Sequence, residues 1–325
     1  MLSLRRYTPA DQQQCVDLLQ RGHDPKFTAE RFQWLHHQNP LAPSDIALVV
    51  DGENIAGFYG ALKKKAVIDG QEYILARDID PVVDPNYRGK GLFGKMLEFS
   101  LETFTDIDFF YNFANNASAP GFIKKGWQSI GPLRDHISQV GYDSVFSRQF
   151  PLYLTSSSMR KKGLSGSVKE FFFDSLNKNE LNPVCPEGKI WVKRDMEFIR
   201  WRYLMNPMKT YNFYALTDND TIKSICVVRF LSEKKHLLII DYFHTEGADE
   251  GLSPYLPYFN RVFGEVSVYT WQTSTNSMLR GFITNPFKKK IGQNFLVRSF
   301  PGKTVPERIY EIKNWYVTRG DSEVF

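Results

Sequence analysis

The run Val83-Asp84-Pro85-Asn86-Tyr87-Arg88-Gly89-Lys90-Gly91-Leu92-Phe93-Gly94 constrains this chain more than any other, because it joins a strand end, a glycine turn and a helix start. Gly89, Gly91 and Gly94 let the backbone turn tightly and point successive N–H groups outward, with Arg88 and Lys90 between them. Those N–H groups, the positive end of the following helix and the two cations favour a pyrophosphate. Leu92/Phe93, Met96/Leu97, Leu101 and Phe104 recur at helical spacing, so the loop opens a helix. GKGLFG lacks both the hydroxyl that ends a Walker loop and the glycine spacing of a dinucleotide fingerprint. Taken alone, RGKG is often a glycine-rich surface turn between a strand and a helix.

Before the loop, residues 2–7 read as a strand, and Thr8-Pro9-Ala10-Asp11 supplies an N-cap, a first-turn proline and an early acid for a helix through Leu19. A second helical segment starts near Thr28, carries Phe32, Trp34 and Leu35, and ends at Asn39-Pro40. Residues 46–50 and 55–62 flank Asp51-Gly52-Glu53-Asn54 as a hairpin, and a strand over 72–79 leads to the loop. Beyond the loop helix, an aromatic strand over 108–113 precedes Asn115-Asn116-Ala117-Ser118-Ala119-Pro120-Gly121-Phe122-Ile123-Lys124-Lys125-Gly126-Trp127.

Val83-x-Pro85-x-Tyr87-Arg88-Gly89-Lys90-Gly91 resembles the acetyl-CoA loop of the GNAT acetyltransferase superfamily, Arg/Gln-x-x-Gly-x-Gly/Ala with a Val-x-Pro-x-(Tyr/Phe) lead-in. Phe93 departs from it, since the loop's last glycine comes one residue late, at Gly94. Asn115, Lys124, Gly126 and Trp127 fit the second GNAT motif, but Phe122 stands where the family carries the tyrosine that protonates the leaving thiolate. The resemblance implies an α/β (α+β) fold with a mixed, mostly antiparallel sheet flanked by helices. It implies acetyl-CoA as cofactor, held by Val82, Val83, Arg88, Gly89, Lys90, Gly91, Leu92, Phe93, Gly94 and Asn115, with the oxyanion donor near Val82 and Val83. The family's base is a carboxylate on that strand, which points to Asp78 and Asp80; strand alternation puts both on one face. Both also read as strand-end acids satisfied by Arg77 or a loop N–H. His136, on the segment after the second motif, is the third catalytic candidate. His36 and His37, at the end of the second helical segment, are candidate substrate contacts.

The second half repeats the first. Trp34, Asn39, Pro40, Asp51 and Ile55 recur as Trp201, Asn206, Pro207, Asp218 and Ile222 at an offset of 167. Asn116, Gly121, Phe122 and Ile123 recur as Asn276, Gly281, Phe282 and Ile283 at an offset of 160, so seven residues are lost in between, where the first copy has its phosphate loop. Trp34 and Trp201 read as core anchors. In place of the loop stand Glu246, Asp249 and Glu250, which repel a pyrophosphate, and Pro254 and Pro257, which interrupt the following helix. The chain therefore divides into a CoA-binding domain over 1–150, a Gly/Ser-rich basic linker over 151–167 and a degenerate GNAT-like domain over 168–325.

A net charge of +5 with no long basic block suits a polyphosphate ligand and argues against nucleic acid as the main partner. Lys63-Lys64-Lys65 and Lys288-Lys289-Lys290 read as solvated loop or strand-end charges. Cys15, Cys185 and Cys226 show no disulfide or metal spacing, which implies a reducing cytoplasm; no signal peptide or membrane-length apolar run is found. The leading function is acyl-CoA-dependent N-acyl transfer to a small-molecule amine, an amino sugar among the candidates. Two other classes stay open. One is a non-catalytic acyl-CoA sensor, given Phe122; the other is an aminoacyl-transferase of the tandem-GNAT peptidoglycan type, which the intact phosphate loop disfavours.

Overall fold

The computed structural model describes residues 1–140, 167–171, 181–219, 221–247, 251–271 and 289–323. Strand β1 (Leu2–Arg6) is followed by α1 (Gln12–Gly22), α2 (Ala29–His36), β2 (Asp45–Asp51), β3 (Asn54–Ile68), β4 (Gln71–Val83), α3 (Leu92–Thr103), β5 (Phe109–Asn115), α4 (Ala119–Lys124) and β6 (Gln128–Val140). The second half contributes β7 (Ser167–Phe171), β8 (Trp191–Val192), α5 (Met196–Ile199), a π-turn (Arg200–Leu204), β9 (Asn212–Asp218), β10 (Thr221–Leu231), β11 (His236–His244), α6 (Tyr255–Phe263), β12 (Val266–Trp271) and β13 (Lys289–Ser299).

The duplication is visible in the elements. Helices α2 and α5 start at the same offset of 167, each under a side-chain cap: the Thr28 hydroxyl accepts the Arg31 N–H at 3.2 Å and the Asp195 carboxylate accepts the Phe198 N–H at 2.9 Å. Strands β2 and β9, and the starts of β3 and β10, keep that offset. Trp34 and Trp201 meet, their rings stacked 5.3 Å apart. Each indole N–H donates to the other's carbonyl, at 2.8 and 2.9 Å, as a local two-fold relation requires. Both rings are buried in the core cluster that joins α1 and α2 to the second half.

One sheet runs through both halves in the order β1, β2, β3, β4, β5, β13, β6, β12, β11, β10, β9, β7, with β8 beside β3. Pairs β4/β5 and β11/β12 are parallel and the rest antiparallel. The order is nearly palindromic about its centre. There β13 of the second half pairs with β5 of the first, and β6 of the first pairs with β12 of the second, so each half completes the other's sheet. A C-terminal segment then threads the middle of the molecule, with every residue from Trp315 to Glu323 buried. Arg194 binds Asp241 at 3.0 Å and Asp321 at 2.8 Å, while Glu323 pairs with Lys64 and Arg77 of the first half.

Several expectations change. Helix α1 continues past Leu19 to Gly22. Lys63 and Lys64 are not solvated: both are buried in β3, where Lys63 pairs with Asp45 and Asp106 at 3.0 and 2.7 Å. The shortening of the second copy falls mostly in its hairpin, since Asn54–Val83 becomes Thr221–His244, and not at the loop. Pro254 and Pro257 do not interrupt α6: they occupy its N-cap and first turn, where no intrahelical N–H bond is forfeited. Glu246 is exposed; Asp249, Glu250, Asn276, Gly281, Phe282, Ile283, Lys288 and linker residues 151–166 lie outside the described residues. Among the described residues, no helix is long and apolar enough to cross a membrane.

Candidate active site

The glycine loop is built by backbone conformation. Asp84 accepts the Asn86 N–H at 3.0 Å and caps a turn at Pro85–Tyr87, and the Tyr87 hydroxyl donates to Asp51 at 3.1 Å. Gly89 and Gly91 have φ of +79° and +69°, while a Cβ at either would meet nothing within 4 Å. Glycine is therefore demanded by the left-handed turn and not by crowding. Gly91 is also the N-cap of α3 and offers no capping side chain, so N–H groups of the first turn stay available to an anion. Arg88, Gly89, Lys90 and Gly91 are exposed around them.

Strand β4 delivers this loop beside an opening in the sheet. It pairs with β5 only at Leu75–Arg77 against Phe109–Tyr111; beyond that the strands part, and β5 continues against β13 to Asn115. Residues 78–83 thus have no partner strand on that side among the described residues. An extended amide-bearing chain along this edge, ending in a pyrophosphate at α3, fits both features.

The two aspartates of β4 face opposite ways. Alternation holds to Ile79, but the β3/β4 register slips between Phe58 and Gly60, where Asp80 has φ of +50° and Pro81 has no N–H to donate. Asp78 points to the α3 side, accepts hydrogen bonds from the Tyr59 hydroxyl and from Trp127 Nε1 (2.9 Å), and is pushed up by burial to about 8. Asp80 turns to the α1 side, where its Oδ1 lies 3.2 Å from His23 Nε2. Burial works to raise the Asp80 carboxyl, but the His23 hydrogen bond and the charges of His23, Arg31 and His36 outweigh it and hold it at about 2. The expectation of a shared face fails because the bulge reverses the alternation.

The family model described as an acetyltransferase (GNAT) domain matches residues 3–130. Residues 3–130 are a GNAT acetyltransferase domain. Across 92% of the chain, the fold is similar to that of a probable N-acyltransferase from Enterococcus faecalis, described as a conserved protein of unknown function, at 13% identity, 72% coverage of that chain and a TM-score of 0.67. The same share matches GCN5-related N-acetyltransferases from Anabaena variabilis (12% identity, 73% of that chain, TM-score 0.59) and Kribbella flavida (13%, 72%, 0.58). At these identities the likeness is one of fold. No curated protein matches the sequence.

Within the acetyltransferase domain, Val82 is buried and Val83 half-buried at the end of β4; Leu92 is buried under α3, and Phe93 and Gly94 are half-buried. The out-of-pattern Phe93 packs edge-on against Phe122 at 5.0 Å, and a Cβ at Gly121 would stand 2.5 Å from its ring, which accounts for the glycine there. Phe122 is fully buried against Trp127, so the tyrosine's position serves the core here. The Asn115 carboxamide oxygen accepts the N–H groups of Ala117 and Ser118 at 3.0 and 2.9 Å and shapes the turn into α4. His36 is completely buried between Phe32 and Phe58, with both ring nitrogens unpartnered among the described residues, and burial lowers it to about 4. His37 Nε2 is held 3.1 Å from the Tyr7 hydroxyl. His136 lies in β6 opposite Thr270; its side chain is outside the described part. The structure therefore brings His23, Asp80 and His36 to one face of the sheet and leaves Asp78 on the other. His23 was missed by sequence reasoning because it lies beyond the expected end of α1. The signal was Gly22-His23 itself, a small residue and a titratable one together at a helix end.

Proposed function

We propose that the acetyltransferase domain transfers an acyl group, acetyl in the first instance, from CoA to the amine of a small molecule, amino sugars among the candidates. The observation that carries this reading is the conjunction of the parted β4/β5 edge with a left-handed glycine loop opening α3. Bound acyl-CoA would supply an activated thioester carbonyl. Arg88 and Lys90 offset the pyrophosphate charge, and the N–H groups from Gly89 to Gly94 orient it. A backbone N–H on the open edge of β4, at Val82 or Val83, would donate to the acyl oxygen; with the Asp84 N–H given to Ala56 of β3, alternation favours Val83. Asp80 is the ionised carboxylate available on this strand, since Asp78 is neutral near pH 7 and engaged by Tyr59 and Trp127. We propose that the second half, which lacks an equivalent glycine loop, binds no CoA, and that 1–150, 151–167 and 168–325 divide the chain by origin.

Calorimetric titration with CoA and acetyl-CoA tests this, followed by thiol release with amino sugars, amino acids and polyamines. One site per chain and release with an amine are expected. Binding without release would favour an acyl-CoA sensor, and no binding would overturn the assignment.

A further inference from the structure

The last turn of α1 lies along the end of β4 as a series of three contacts. Arg21 reaches Asp84 at 3.2 Å, Gly22 lies so close that a Cβ would stand 2.4 Å from Val82 Cγ2, and His23 Nε2 is 3.2 Å from Asp80 Oδ1. Three consecutive residues at the end of α1, the last its C-cap, thus meet Asp84, Val82 and Asp80, the β4 stretch whose edge is open where β5 has parted. At its tip the two partners are unequal: the His23 side chain is 40% exposed and that of Asp80 10%. The second carboxylate oxygen of Asp80 is buried and has no hydrogen-bond partner among the described residues. With Nε2–H donated to the carboxylate, the ring's Nδ1 keeps its lone pair when neutral and is not bound by any described residue. The other histidines on this side cannot take that position, since His36 is enclosed in the core and His37 is held by Tyr7.

We propose that His23 is a catalytic residue of the acyl transfer: aligned by Asp80, it accepts at Nδ1 the proton of the attacking amine. This rests on the CoA reading above. The amine nitrogen bonds to the acyl carbon, the C–S bond breaks with its electron pair left on the thiolate, and the amine proton passes to His23. The charged groups around the ring are Asp80 from β4, Asp24 next to it in the chain and Arg31 from α2. The hydrogen bond to Asp80 outweighs burial and raises the His23 imidazole above its ordinary value.

The test needs no acceptor. The full chain is treated with bromoacetyl-CoA, whose electrophilic carbon sits next to the thioester, and the adduct is mapped by peptide mass spectrometry. Alkylation joins that carbon to an imidazole nitrogen with loss of bromide. We expect an adduct on His23 that excess CoA prevents and that His23→Gln abolishes, while the variant binds CoA within about twofold of the wild type by calorimetry. The alkylation rate should rise with pH through a midpoint above the ordinary histidine value, and Asp80→Asn should move that midpoint down. A CoA-preventable adduct only at another residue, or none while calorimetry shows CoA bound, overturns the assignment of His23. Absence of CoA binding overturns the cofactor reading instead, and this inference with it.

Discussion

Asp78 and Asp80 are two residues apart, yet the fold drives their carboxyl groups in opposite directions. Asp78 is raised to about 8 by burial, and the folded state therefore binds its proton more tightly than the unfolded chain, whose value is 3.8. Its contribution is fully present below about 4 and is lost as pH rises toward 8. Denaturation midpoints measured across that window should fall for the wild type and fall less for Asp78→Asn, which accepts from Tyr59 at one oxygen and loses the charge that burial penalises. The sign is reversed for Asp80. Held at about 2, it stabilises above 3.8 and loses that contribution as pH falls toward 2. At Gly91 the constraint is φ alone: Gly91→Ala costs about 1–2 kcal/mol in the left-handed region. Because the strain lies at the cap of α3, CoA affinity by calorimetry should drop with it. An unchanged affinity would show that the α3 N-terminus is not the pyrophosphate site.

At the scale of elements, the contact between α1 and β4 depends on Gly22. A methyl there would run into Val82 Cγ2 on a β-branched side chain that cannot swing clear. Gly22→Ala is expected to cost about 1–3 kcal/mol in chemical denaturation, as overpacking does. It should also loosen the His23–Asp80 pair, so that NMR titration finds the His23 imidazole closer to its ordinary value. The glycine loop and its helix were legible in the sequence because a left-handed turn is a local demand that few residues other than glycine meet. The facing of Asp80 was less so: alternation is a local rule, and it fails at Pro81, which cannot donate to β3 and marks the bulge. The buried Lys63 and Lys64 were illegible for a different reason. Their partners Asp45, Asp106 and Glu323 come from distant parts of the chain, and nothing near a lysine triplet announces them.

The whole molecule is a duplication whose halves share strands. Trp34 and Trp201 were detectable as a repeated pair, and in the structure each satisfies the other's indole N–H. Trp34→Ala is expected to cost about 3–5 kcal/mol. Adding Trp201→Ala should cost less than the sum, since the second change removes a ring whose stacking partner and acceptor geometry are already lost. The exchange of β6 and β13 was not detectable, because pairing partners in a sheet leave no mark on periodicity. It bears directly on whether 1–150 can stand alone. Without β13, β5 loses its antiparallel neighbour along Phe109–Asn115, and the buried Phe295, Leu296 and Val297 leave the core. Produced separately, 1–150 should unfold without a cooperative transition and bind no CoA, and mixing it with 151–325 should restore both. Cooperative unfolding and CoA binding by 1–150 alone would mean that β6 can move beside β5 in place of β13. The shared sheet would then be a join between two self-sufficient halves, whereas restoration only on mixing would make the second half a structural part of the first half's active site.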